Sequence, residues 1–406
     1  MNTALKKARI LLPAANVENE KWAVVACDQF TAQPEYWAQA DALVGDAPST
    51  LRLTLPEVYL GERESRTPAI HAAMRDYLDR GALTEAVDGF LLVERITPSG
   101  VRPGLMVALD LDCYDYAVGS TSLIRATEGT VPSRVPPRAK IRAGAPLELP
   151  HVMMLIDDPG KTVIEPLYAR RGALRPLYDF ELMLGGGHLR GWAVEDEDAD
   201  AVFSAIEGLA ERCDGLLYAV GDGNHSLAAA KQCWMQLRER LSEAERECHP
   251  ARYALVELVN LNCPALVFEP IHRVLFNVES EDLLQKLRAC LNENGVSEGE
   301  GDDLIVFDRE RELSFRMAQH PLPVLQPFLD GYLAEHPEVE IDYIHGDAAL
   351  RELVSNHPRS MGFMPRAFDK AELFSAIRRW GALPRKTFSM GEATEKRYYM
   401  EARKIL

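Results

Sequence analysis

Near the middle of the chain an apolar run, Tyr218-Ala219-Val220, passes through Gly221-Asp222-Gly223-Asn224 into a segment with Leu227, Ala230, Trp234, Leu237 and Leu241 at three- and four-residue spacing. That spacing is one face of a helix, and a short apolar run ending on glycine is a buried strand. The pattern predicts a strand, a tight polar turn and a long amphipathic helix over 225–247. A chain built around such a unit is expected to form sheets with helices packed on them.

The rest of the sequence extends this reading. Strands are predicted at 22–26, 89–96, 105–111, 151–157, 162–168, 215–220, 253–260, 265–268, 303–307, 313–318 and 339–344. Helices are predicted from Pro34, over 68–78, 198–213, 280–291 and 347–355. Asp158-Pro159-Gly160 is a hairpin signal between two of the strands. Gly119 to Gly144 carries Pro132, Pro136 and Pro137 and little periodicity, so it is expected to be an extended, irregular crossing. The fold class is therefore α+β, mixed sheets with flanking helices. At 406 residues it should comprise an N-terminal α/β domain over 1–118, a core over 119–265 that holds the turn, and a C-terminal α/β domain over 266–406.

Composition narrows the function classes. Hydrophobic residues at 47% and charged residues at 26% suit a protein with packed cores. A formal charge of −17 disfavours nucleic acid and anionic membrane surfaces as partners. The apolar runs, such as Phe90 to Val93, fall short of the roughly 20 residues that span a bilayer. The N-terminus lacks the pattern of a secretion signal, so the cytoplasm is the expected address. Seven cysteines without a C-x-x-C pair argue against a disulfide framework or a zinc ribbon, and most are read as small buried apolar residues. A small-molecule substrate is the expected partner, with self-association left open.

The turn itself carries chemistry. Gly221 and Gly223 permit positive φ and a close ligand approach, a helix start presents N–H groups and a positive dipole end, and Asn224, His225 and Ser226 add side-chain donors. A phosphate suits such a place. Asp222 would there hold a divalent cation or accept a proton from a nucleophile. The plainer reading is a tight turn with Asn224 as the N-cap. Between Arg125 and Arg142 the chain reverses its sign, with Arg125, Arg134, Arg138, Lys140 and Arg142 against Glu128 alone. This is a candidate anion site, or a solvated basic loop. Arg385, Lys386, Lys396 and Arg397 form a last basic cluster, equally suited to a ligand or to internal acids. Elbows of the G-x-S-x-G type, H-E-x-x-H and a Rossmann G-x-G-x-x-G are absent, which weakens hydrolase, zinc-peptidase and dehydrogenase readings.

Gly221 to Ser226 resembles the Asp-Gly-His-His-Arg signature of the bacterial and archaeal "domain of unknown function ten-fifteen" family. The likeness continues at Ala26-Cys27-Asp28, Ile124 to Thr130, Pro270-Ile271-His272-Arg273, Ile341 to His345 and Leu383 to Thr387. That family is similar in its turn to the ParB/sulfiredoxin superfamily, which includes free-serine kinases. The resemblance implies a ParB/sulfiredoxin-like nucleotide-binding core at 119–265, a nucleotide (ATP or ADP) and Mg²⁺ as cofactors, and phosphoryl transfer to a small hydroxyl-bearing metabolite. The alternative is a nucleotide-sensing binding protein without chemistry. By position, Asp222, Gly223 and His225 match the signature, Arg125, Glu128 and Thr130 the middle motif, and His272, Arg273, Lys386 and Thr387 the later ones. Asn224 and Ser226 depart from it, and losing the signature's arginine leaves the phosphate charge to Arg125 or Arg138. In this scheme Asp222, His225 and Glu128 serve catalysis, with Asp222 also the metal ligand. Gly221, Gly223, Asn224, Ser226, Arg125, Thr130, Arg134 and Arg138 hold the nucleotide, together with His272, Arg273, Lys386 and Thr387. The scheme requires the amides after residue 220 to face the arginines of 125–138.

Overall fold

A computed structural model describes residues 2–117, 119–299 and 301–406. Val118, the last residue of the expected N-terminal domain, and Glu300, in the expected 299–303 loop, lie outside the described residues, as does Met1. The chain divides into two compact units rather than three domains. The first comprises Met1–Val267, Ile377–Ala382 and Gly391–Leu406, the second Phe268–Ala376 and Leu383–Met390. The boundary expected at 118/119 runs through one sheet, because Tyr114–Asp115 pairs with Ile124–Ala126, and Gly100–Asp110 pairs with Tyr253–Asn260. Strand pairing over such separations leaves no local signature.

In the first unit, eleven strands among the described residues form one mixed sheet. Its path runs Tyr114–Asp115, Ile124–Ala126, Tyr218–Asp222, Met153–Ile156, Tyr253–Asn260, Gly100–Asp110, Leu83–Thr97, Gly187–Val194 and Pro176–Leu182. Leu5–Lys6 and Ala8–Pro13 add to its flank, pairing with Gly100–Asp110 and Leu83–Thr97. Both faces are covered, which is why the central strands are continuously apolar instead of alternating. Leu91 and Val93 join a core with Trp22, Trp37, Met74 and Tyr77 on one face. Phe90 and Leu92 join Val202, Ile206, Leu227 and Trp234 on the other. Each such buried side chain contributes about 1.5–3 kcal/mol relative to exposure.

The second unit has its own six-stranded sheet among the described residues, with Phe268–Phe276 between Glu340–His345 and Ser360–Pro365. Its core gathers Leu283, Leu287, Leu325, Leu329 and Phe363.

Several elements differ from the sequence reading. The 119–144 crossing contains a helix, Val135–Arg142, because Pro136 and Pro137 sit in its first turn, where a missing N–H costs nothing. The expected strand at 162–168 is the helix Ile164–Ala169, begun after Asp158 accepts the N–H groups of Thr162 and Val163. The run at 22–26 makes a single bridge, Val25 to Tyr398, in place of a strand. The long helix ends at Arg238, and a second, Glu243–Cys248, starts afresh with Ser242 and Glu245 forming a capping box. The 265–268 strand is the start of Phe268–Phe276. None of the seven cysteines forms a disulfide; Cys263 is buried, Cys248 is exposed and the others lie between. No helix among the described residues is long and apolar enough to cross a membrane.

Candidate functional site

The strand Tyr218–Asp222 lies parallel to Ile124–Ala126 and antiparallel to Met153–Ile156. Its register against the latter slips between Val220 and Asp222, so Gly221 occupies a bulge and does not take positive φ. Gly223 does, with φ of 81°. A Cβ there would stand 3.0 Å from Val152 Cγ2 and 3.1 Å from Val152 Cα, so the turn needs glycine at this one position. Gly223, not Asn224, is the N-cap of the helix Asn224–Arg238, and no side chain caps it. The N–H groups of its first turn have no partner inside the helix, and the dipole adds positive potential there.

The segment 127–131 runs beside this turn. Thr127 Oγ1 donates to the Val220 carbonyl at 2.7 Å, and the Val131 N–H donates to His225 Nε2 at 3.2 Å. Two polar atoms are left buried without a hydrogen-bond partner among the described residues, Thr130 Oγ1 and Asn224 Oδ1. An amide flip would turn the second into a donor. Glu128, partly exposed, belongs to the same segment.

Of the two arginines expected to answer the phosphate, Arg138 lines a cavity with Ser226 and His151 but Arg125 turns elsewhere. Arg125 is buried and donates to the carbonyls of Ser122 and Gly215, at 2.8 and 2.9 Å. Gly215 precedes the strand that the turn follows, so the guanidinium serves the opposite strand end. Arg138 pairs with Glu57 and with the Arg134 carbonyl, and Arg134 is exposed. The cation beside the turn comes from the C-terminal basic cluster instead: Lys396 Nζ stands 3.3 Å from Asp222 Oδ2. Asp222 Oδ1 accepts the Gly223 N–H at 2.9 Å. Both carboxylate oxygens are thus engaged, and no group of three or more His, Cys, Asp or Glu among the described residues is placed to hold a metal ion. The residues present do not fit the Mg²⁺ site expected at Asp222.

Sequence reasoning missed a second cluster. Ser226 Oγ lies 3.0 Å from His151 Nε2, and His151 Nδ1 lies 2.8 Å from the Tyr399 hydroxyl, which accepts the Cys27 N–H. Asp28 Oδ2 stands 3.8 Å from the same Nε2. Burial pushes the Asp28 carboxyl up, but its interactions with His151, the Gln29 amide and Lys396 outweigh it and hold it below the usual carboxylate range. Burial, then Asp28, pushes the Cys27 thiol up to about 12, which makes it a poor nucleophile. Ser226 and the Ala26-Cys27-Asp28 match were in view in the sequence; what was missed is His151, a polar residue heading an apolar strand, which joins them. Ser226, His151 and Tyr399 line one end of a cavity of about 160 Å³.

The later motif residues assemble within the second unit. His272 Nε2 meets Asp347 at 2.8 Å, and burial foremost lowers its pKa. The fully buried Arg273 donates to the carbonyls of Arg385 and Lys386, and Thr387 Oγ1 donates to the Pro384 carbonyl. The bonds of Arg273 and Thr387 fasten the 384–387 loop within the second unit.

A family model described as "Protein of unknown function (DUF1015)" matches residues 11–358. No curated protein matches. Among solved structures, a free serine kinase mutant in complex with ADP is similar with a TM-score of 0.42 and 11% identity, covering 74% of this chain and 92% of that one. A conserved hypothetical protein from Pyrococcus furiosus gives 0.37 and 11%, covering 73% and 90%. SbnI with a C-terminal truncation, from Staphylococcus aureus, gives 0.38 and 9%, covering 70% and 82%. Likenesses at these scores assign no activity.

Proposed function

We propose, for a chain that belongs to the DUF1015 family and inherits no activity from that membership, a nucleotide-dependent phosphotransferase acting on a small hydroxyl-bearing metabolite. The observation that carries it is the uncapped helix start at Gly223, with Thr130 Oγ1 and Asn224 Oδ1 buried and unpartnered beside it. First-turn amides and such side chains are a donor set for phosphate oxygens. The ParB/sulfiredoxin-like character of this core is part of the proposal, supported by the resemblance of residues 221–226. So is its serine-kinase-like chemistry.

In this reading His151, rather than Asp222, takes the acceptor's proton. Its Nε2 faces Ser226 Oγ and Asp28, and the Asp28 carboxylate stabilises the imidazolium formed. Lys396 supplies the positive charge expected of the arginines. Positioning and charge do most of the work in phosphoryl transfer, and no step is drawn through a metal. The second reading is a nucleotide sensor without chemistry, in which Lys396 stays paired with Asp222 instead of turning to the phosphate.

Thermal-shift titration with ATP, ADP and CTP, followed by ADP release across a panel of hydroxy metabolites, tests both. Nucleotide binding, with turnover lost in His151→Gln while nucleotide affinity stays, supports the transferase. Binding without turnover selects the sensor. Absence of binding to every nucleotide overturns both.

A further inference from the structure

The cavity beneath the site helix has a chemistry of its own. Leu55, Met74, Ile141 and Leu255 are among its walls, and Ser226 with His151 gives it one hydroxyl-reading end. Its charged side chains are matched: Arg138 pairs with Glu57, and Arg142 with Glu148. A charged ligand body would find no unpaired counter-charge among these walls, which disfavours charge in the interior. An apolar cavity of about 150 Å³ accepts a molecule the size of benzene, and this one measures about 160 Å³. Ser226 lies in the first turn of the helix whose N-terminus faces the proposed phosphate site, and a turn advances about 5.4 Å. The wall and the anion site therefore meet at one residue.

We propose that this cavity binds an uncharged small alcohol with an apolar body of about six carbons, its hydroxyl against Ser226 and His151. That the alcohol is the phosphoryl acceptor rests on the function proposed above; that the cavity binds it does not. The class excludes zwitterions such as free serine, and polyols such as glycerol, as good occupants.

The test is calorimetric titration of the full chain, without nucleotide, with benzyl alcohol, toluene, glycerol and L-serine. Benzyl alcohol is expected to bind saturably and up to about tenfold more tightly than toluene, the worth of one hydrogen bond. Ser226→Ala should erase that preference, and Ala145→Leu, which fills the cavity from its wall, should abolish both affinities. Nuclear Overhauser contacts from the benzyl ring to the Met74 and Leu255 methyl groups keep the test decisive if Ala145→Leu fails to fold. The proposal is overturned if benzyl alcohol does not saturate, if toluene matches it, if L-serine or glycerol competes, or if those methyl contacts are absent at saturation. Failure of ATP to bind would remove the phosphotransferase reading and leave this result standing, whereas failure of the alcohol with ATP bound removes only this proposal.

Discussion

Gly223→Ala probes the geometry on which the site depends. At φ of 81° an L-residue pays for the left-handed conformation, about 1–2 kcal/mol. The new Cβ also meets Val152, at 3.0 Å from a movable methyl and 3.1 Å from an α-carbon that cannot move without its strand. Overpacking of that kind costs about 1–3 kcal/mol. The expected loss is about 2–5 kcal/mol in the stability of the first unit, read by urea titration with tryptophan fluorescence. Adding Val152→Ala should recover only part of it, because the clash with the methyl goes while the clash with the backbone of residue 152 remains. Nucleotide affinity should fall in parallel, since relief of either strain re-aims the first N–H groups of the helix. A Gly223→Ala protein within about 0.5 kcal/mol of the parent would refute the claim that this turn is held against Val152 in a glycine-only conformation.

Three further outcomes follow from buried charge. Arg397, fully enclosed with Glu257 and Glu401, should cost about 3–5 kcal/mol when changed to Met, because both acids lose their cation; a loss under about 1 kcal/mol in urea titration would contradict that pairing. Burial foremost lowers the His320 pKa to about 4, and its Nδ1 accepts the Leu322 N–H while Nε2 meets the Arg366 carbonyl. The unfolded state binds this proton first as pH falls below about 6.5, so stability of the second unit should drop by about 3 kcal/mol between there and pH 4. His320→Gln should flatten that dependence, and an unchanged pH profile would count against the burial argument. Arg125→Gln should cost about 1–3 kcal/mol through its two carbonyl bonds yet leave ATP affinity within about twofold; a much larger loss of affinity would restore Arg125 to the phosphate site.

The strand–turn–helix at 218–238 was legible because it is local: apolar run, glycine and helical spacing all lie within two dozen residues. The helices read at 280–291 and 347–355 and the strands read at 89–96 and 253–260 were legible for the same reason, although the strand at 89–96 begins six residues earlier, at Leu83. The Val135–Arg142 helix was hidden because prolines in a first turn look like prolines in a loop. The Arg125 error has a different source, since basic residues near a glycine turn in sequence say nothing about which carbonyls their guanidinium groups reach.

By itself, then, the sequence determined the α+β class and the strand–turn–helix, set by steric and solvation rules acting over short stretches, while only the structure singled out Gly223 over Gly221 as the indispensable glycine. Tertiary structure alone decided that Lys396 answers Asp222, that His151 and Tyr399 meet Ser226, and that a small apolar cavity lies beneath them. Those interactions join residues up to 248 positions apart, and their pairing follows from packing of one sheet between two cores rather than from any pattern along the chain.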